Sequence, residues 1–235
     1  MRYEVCAESA DAVRAAVAAG AHRIELCADL SVGGVTPSPA AVTAAVAAAG
    51  SRPVHVLIRP RAGDFAYSEA ELAVMVASIG AARRAGAAGL VIGALTADGR
   101  VDVPACEALM AAARPASVTF HRAFDEAADP LAAFAQVLAL GADRLLTSGA
   151  AETALAGADL IGELVRRSAG RSARRSDGKL TVLAGGGVTA ANAAEIVART
   201  GVSELHFSAR PRPGDPPSLT DRIAAVIAAA SAAPH

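Results

Sequence analysis

A chain of 235 residues that is 53% hydrophobic but only 3% aromatic, with no tryptophan, can bury a large core and must fill it with Ala, Val, Leu and Ile. Its formal net charge of -1 gives no overall attraction to nucleic acid or to an anionic membrane, so a small, uncharged partner is the default expectation. No apolar run reaches the length of a membrane span and Met1-Arg2-Tyr3-Glu4 opens without a secretory segment, which predicts a cytoplasmic protein whose three cysteines are free thiols.

The first strand is expected at Arg2 to Cys6, ending in Glu4-Val5-Cys6. An Ala-rich helix then stops at Gly20, and the second strand ends in Glu25-Leu26-Cys27. Ser38-Pro39 reads as a cap with proline at the first helical position. The third strand, Pro53 to Ile58, runs into Arg59-Pro60-Arg61, and Ser68-Glu69-Ala70-Glu71 matches a capping box. The helix that follows stops at Gly86, before a fourth strand in "GLVIG". Cys106 lies in the next helix and reads as packing; the fifth strand, Ser117 to His121, leads into Arg122. Asp129-Pro130 repeats the cap-proline signal, and Gly141 precedes a sixth strand in "RLLTS". The basic stretch Arg171 to Lys179 reads as a solvated loop before the seventh strand, Leu180 to Ala184. Gly185-Gly186-Gly187 follow it and lead toward the seventh helix, and Gly201 precedes an eighth strand in "ELHFS".

The helix-glycine-strand junction recurs at intervals of roughly sixty residues, twice the length of one βα unit. Eight strands alternating with eight helices, without a second zone of composition, predict a single (β/α)8 barrel over residues 1–235 rather than an open sheet.

In such a barrel the chemistry collects at the C-terminal ends of the strands. Alternation puts Glu4 with Cys6, Glu25 with Cys27, and His206 with Glu204 and Ser208 on shared faces. Inward carboxylates need partners, for which Arg59, Arg61 and Arg122 are the candidates. Thiols on adjacent strands could share a soft metal such as Cu(I), or simply pack. His121 and His206 end strands, where an imidazole serves as acid, base or ligand; His22, His55 and His235 read as structural or inert. Gly185, Gly186 and Gly187, completed by Gly149, Ser208 and Arg210, could cradle an anion. The single lysine, Lys179, precedes strand seven at the opposite end, which argues against a Schiff-base aldolase. The same groups allow a second reading, an isomerase or lyase acting on a small anionic or phosphorylated metabolite. Glu25 and His121 would then be the acid/base pair, with Arg59 and Arg61 as charge partners.

The ordered segments "EVC", "RIELCADLSVGGVTPS", "VLIRPRAGDFAYS", "GLVIGALTADG", "VTFHRAFD", "LLTSG", "AGGGVT" and "ELHFSAR" closely resemble the CutC copper homeostasis protein family, from about Met1 to Arg210. The resemblance implies a cytoplasmic, commonly oligomeric TIM barrel proposed to bind Cu(I), with Cys6 and Cys27 as thiol ligands; a copper-binding homo-oligomer would have His206, at the end of strand eight, as a further candidate ligand. The longer basic loop at Arg171 to Lys179 departs from the family pattern and leaves the barrel mouth untouched.

Overall fold

The structure, a computed structural model, describes residues 1–171, 180–211, 214 and 216–233. The basic stretch after Arg171, including Lys179, and the terminal His235 therefore lie outside the described residues. In chain order the elements are β1 (Arg2–Ala7), α1 (Ala10–Ala18), β2 (Arg23–Leu26), α2 (Pro39–Ala49), β3 (Val54–Leu57), α3 (Glu69–Arg84), β4 (Gly89–Ile92) and α4 (Val103–Ala113). They continue with β5 (Ser117–Phe120), α5 (Pro130–Leu140), β6 (Arg144–Thr147), α6 (Ala158–Arg171), β7 (Thr181–Gly185), α7 (Ala193–Thr200), β8 (Glu204–Phe207) and α8 (Leu219–Ser231). All neighbouring strands pair in parallel, and β8 closes on β1 to make an eight-stranded barrel. Among the described residues no helix is long and apolar enough to cross a membrane.

The local signals act as their chemistry requires. The Ser68 hydroxyl accepts from the Glu71 amide while the Glu71 carboxylate accepts from the Ser68 amide, so both orphan donors at the start of α3 are satisfied. Asp129 caps α5 by accepting from the Leu131 and Ala132 amides, with Pro130 at the first helical position. Gly141 and Gly201 end α5 and α7 with φ of 82° and 67°, where a Cβ would be strained.

Strand alternation divides the apolar side chains into two separate clusters. The larger lies between barrel and helices and takes the outward strand residues, among them Val5, Ile24, Val56, Leu90 and Leu205. The smaller is inside the barrel near its mouth and consists of Cys6, Cys27, Leu57 and Val91, with Leu30 against it. Below it the interior is charged. Arg23 donates to both Glu4 and Glu204, and Arg144 donates to Glu204 at 3.1 Å and to the Ser117 hydroxyl at 2.7 Å. Glu4, Arg23 and Glu204 are each at most 6% exposed.

This corrects the expected pairing. Arg59, Arg61 and Arg122 lie above the strand ends, whereas Glu4 is level with Arg23 in the β1–β2 register, so the start of β2 supplies its cation. Bulky interior rings are accommodated by inward positions without a side chain. A Cβ at Gly89 would lie 2.5 Å from His55 Nε2, and one at Gly93 would lie 2.6 Å from the His121 ring.

Gly89→Ala should therefore cost about 1–3 kcal/mol by overpacking the His55 layer, as forced insertions into filled cores do. Urea denaturation of wild type and variant measures it. Equal midpoints would contradict the close approach.

Candidate functional site

The strand ends surround a cavity of about 320 Å3 lined by residues from several strands, including Cys6, Glu25, Arg59, His121 and His206. It opens at the C-terminal end of the barrel, where functional groups of this fold are placed.

The register sets Cys6 opposite Glu25, so Cys27 stands one inward layer higher rather than level with Cys6. Their side chains still meet, with the sulfurs 3.2 Å apart. Cys27 is fully buried behind Cys6, and only Cys6 of the two lines the cavity. The Cys6 thiol lies 3.6 Å from Glu25 Oε1, to which it can donate. Its pKa is pushed well above the ordinary thiol value, chiefly by the contact with Cys27, then by burial and by the nearby Glu25 charge.

His206 stands between two carboxylates. Its Nδ1 is 2.8 Å from Glu4 Oε1 and its Nε2 is 3.9 Å from Glu25 Oε1. Burial alone would lower the imidazole pKa, but Glu25 and then Glu4 outweigh burial and raise it. Glu4 responds in the opposite sense: burial acts to raise it, yet Arg23 and His206 hold it well below the usual carboxylate range. Glu25 has no such cation bonded to it. Burial raises its pKa, His206 only partly opposes this, and Oε2 has no partner among the described residues. One donor atom each from Cys6, Glu25 and His206 fall within 4.8 Å of one another, a grouping that could hold a metal ion. The Nδ1–Glu4 contact leaves Nε2 facing that group, the arrangement by which a carboxylate orients an imidazole for ligation.

The remaining sequence candidates fall at different places. His121 lines the cavity, and its Nδ1 accepts from the Ala123 amide at 3.1 Å, so the neutral ring carries its proton on Nε2. That Nε2 has no partner among the described residues, and burial, helped by Arg59, pushes the ring pKa to about 3. Arg59 lines the cavity but is spent on carbonyls: Nη1 donates to Val32 and Gly34, Nη2 to Gly63, and its guanidinium lies 4.8 Å from the Phe65 ring centre. It ties the loops after β2 and β3 together over the mouth. Arg61 is directed to Glu71, Asp64 and the Tyr67 ring and does not line the cavity, so the structure does not join it to Glu25 and His121. Gly186, Gly187, Ser208 and Arg210 do line the cavity, while Gly185 does not; an added Cβ there would meet Leu146 at 2.6 Å. The glycine run does not reach a helix start, since α7 begins only at Ala193.

Sequence reasoning missed Arg23 and Arg144, which read as junction residues. It also missed Asp125, which accepts from Thr147, Ser148, Ala150 and Arg122 and fixes the loops after β5 and β6 together.

A folded-state imidazole pKa above the ordinary 6.5 means that His206 contributes stability fully below pH 6.5 and loses it as the pH rises through the folded value. Glu4, with its lowered value, contributes above its ordinary 4.5 and loses that contribution as the pH falls toward the folded value. In an NMR titration His206 should protonate above pH 6.5 in the wild type and at lower pH in Glu4→Gln. A wild-type midpoint at or below 6.5 would contradict the two-carboxylate arrangement.

Residues 1–211 match the pattern that describes the CutC family. A protein of Pasteurella multocida (strain Pm70) named as a family protein CutC is 45% identical over 210 residues, spanning 89% of this chain and 82% of that protein. A human protein named copper homeostasis protein cutC homolog is 47% identical over 207 residues, spanning 88% of this chain and 72% of its own. A solved structure carrying the CutC name, from Streptococcus agalactiae, superposes with a TM-score of 0.78 at 33% identity, covering 88% of this chain and 97% of that one. With the family pattern matched over residues 1–211 and these relatives alike in sequence and fold, the chain belongs to the CutC family.

Proposed function

We propose that the protein binds copper(I) in the cytoplasm as its cargo, through Cys6 at the barrel mouth with the Cys27 sulfur and His206 Nε2 as further donors. The observation that carries this reading is the convergence of Cys6, Glu25 and His206 atoms within 4.8 Å, with a second sulfur 3.2 Å from the first. Thiolate and imidazole are the donor types that soft copper(I) selects, and the copper homeostasis name of the human relative agrees with that metal.

Residues of this chain fit the task in three respects. A thiol must lose its proton to become a ligand, and Glu25 Oε1, 3.6 Å from the Cys6 sulfur, is placed to take that proton from Cys6. Glu4 holds the His206 ring by Nδ1, so Nε2 remains directed at the cluster. Glu25 Oε2, without a partner among the described residues, is a second buried oxygen on which that proton can sit. A thiol pair packed at 3.2 Å is too close for both sulfurs to lie on opposite sides of one ion, because metal–sulfur bonds run about 2.3 Å each. Binding therefore calls for the Cys6 side chain to swing toward the cavity it already lines.

Anaerobic copper(I) titration against a competing chelator tests this. Cys6→Ser should weaken binding by more than the roughly 10–100-fold that loss of an outer-shell partner costs, and Glu4→Gln should fall inside that range. Equal affinity in wild type and Cys6→Ser/Cys27→Ser would overturn the proposal.

A further inference from the structure

The copper reading uses one side of the cavity. The rest of the lining includes the loops after β5, β7 and β8, and there it carries hydrogen-bond donors that have no acceptor among the described residues. Among the described residues, the amides of Gly187 and Val188 and the hydroxyl of Ser208 are unpartnered, and so is the guanidinium of Arg210. Arg122 donates through Nε to Asp125 at 2.8 Å and through Nη2 to the Ser148 hydroxyl at 2.9 Å, which leaves Nη1 without a partner. Two nine-tenths-buried side chains lining the same cavity also carry orphan donors, Arg59 at Nε and His121 at Nε2. The single acidic residue among those lining the cavity is Glu25, at the sulfur side.

We infer that this wall is a binding site for a tetrahedral oxyanion, the phosphate group of a small monophosphate ester, held by Arg122, Arg210, Ser208 and the Gly187 and Val188 amides. Donors without acceptors converge here from three loops, and an anion with several acceptor oxygens satisfies them together. The site is set in advance of the ligand. Asp125, itself fixed by Thr147, Ser148 and Ala150, holds the Arg122 guanidinium in place. Gly186, at φ 104°, has no Cβ to push that guanidinium aside, since one would lie 3.3 Å from Arg122 Cζ. The volume of about 320 Å3 lies at the small end of ligand cavities, so the organic part of the ester is short and extends toward His121 and Glu25. None of these donors is a copper ligand in the reading above, and the two proposals can fail separately.

Calorimetric titration at low ionic strength with inorganic phosphate and with glycerol 3-phosphate tests the inference. The wild type should bind at one site. Arg210→Gln and Arg122→Gln should each weaken binding tenfold or more, while Cys6→Ser, at the sulfur side and outside the proposed anion contacts, should bind the anion as the wild type does. Arg210 is exposed and has no partner among the described residues, so its variant should fold as the wild type does and decides the matter if Arg122→Gln is unstable. No saturable binding of either probe, or wild-type affinity in Arg210→Gln, would overturn the assignment. So would loss of binding in Cys6→Ser.

Discussion

The arrangement at the mouth depends on one buried cation, Arg23, placed between two carboxylates at the floor of the barrel. Removing ions from water costs several kcal/mol apiece, and the cost is met only by close pairing with further hydrogen bonds. The chain meets it by alternating sign along a continuous path: Arg144 to Glu204, Glu204 to Arg23, Arg23 to Glu4, Glu4 to His206, and His206 toward Glu25. Each member is held by its neighbours, so the strand register and the charge state of the mouth are one problem. With Arg23 in place, Glu4 stays ionised and turns His206 so that Nε2 faces Cys6 and Glu25. The last carboxylate receives no cation bonded to it, and this is why its proton affinity is raised while that of Glu4 is lowered.

That asymmetry gives the cavity two chemically different sides. One gathers sulfur, imidazole and an incompletely compensated carboxylate. The other gathers guanidinium groups and loop amides. β8 contributes to both, His206 to the first and Ser208 and Arg210 of the loop that follows it to the second, while Arg59 ties two loops of the mouth together by binding their carbonyls. Its role is to fix backbone; with three carbonyl acceptors on Nη1 and Nη2, Nε is the one nitrogen of the guanidinium without a partner among the described residues. Interior space for the rings comes from glycines in the sheet, so small residues on β4 are as much a part of the site as the histidines they face.

The fold was largely legible in the sequence because its signals are local. Caps at Ser68 and Asp129 and glycines ending α5 and α7 report on a few neighbouring residues, and strand alternation separates Cys6 and Glu4 from Val5 without any knowledge of tertiary structure. The site was legible only as a set of side chains at strand ends. Which of them touch is decided by stagger between strands, and that is not written in either strand alone. The sequence therefore could not tell that Glu4 is level with Arg23, or that Cys27 stands a layer above Cys6. Arg23 carried one usable signal: alternation places it on the same face as Glu25 and Cys27. Arg61 misled because proximity in sequence to Arg59 says nothing about direction; Glu71, at the start of α3, was already there to take it.

The claim that a paired interior cation sustains both barrel and mouth is tested most directly by the stability of Arg23→Met in chemical denaturation. Leaving Glu4 and Glu204 buried without their shared partner should cost about 3–5 kcal/mol, the usual consequence of breaking a buried ion pair. A variant within about half a kcal/mol of wild type, the range of an ordinary surface substitution, would contradict it.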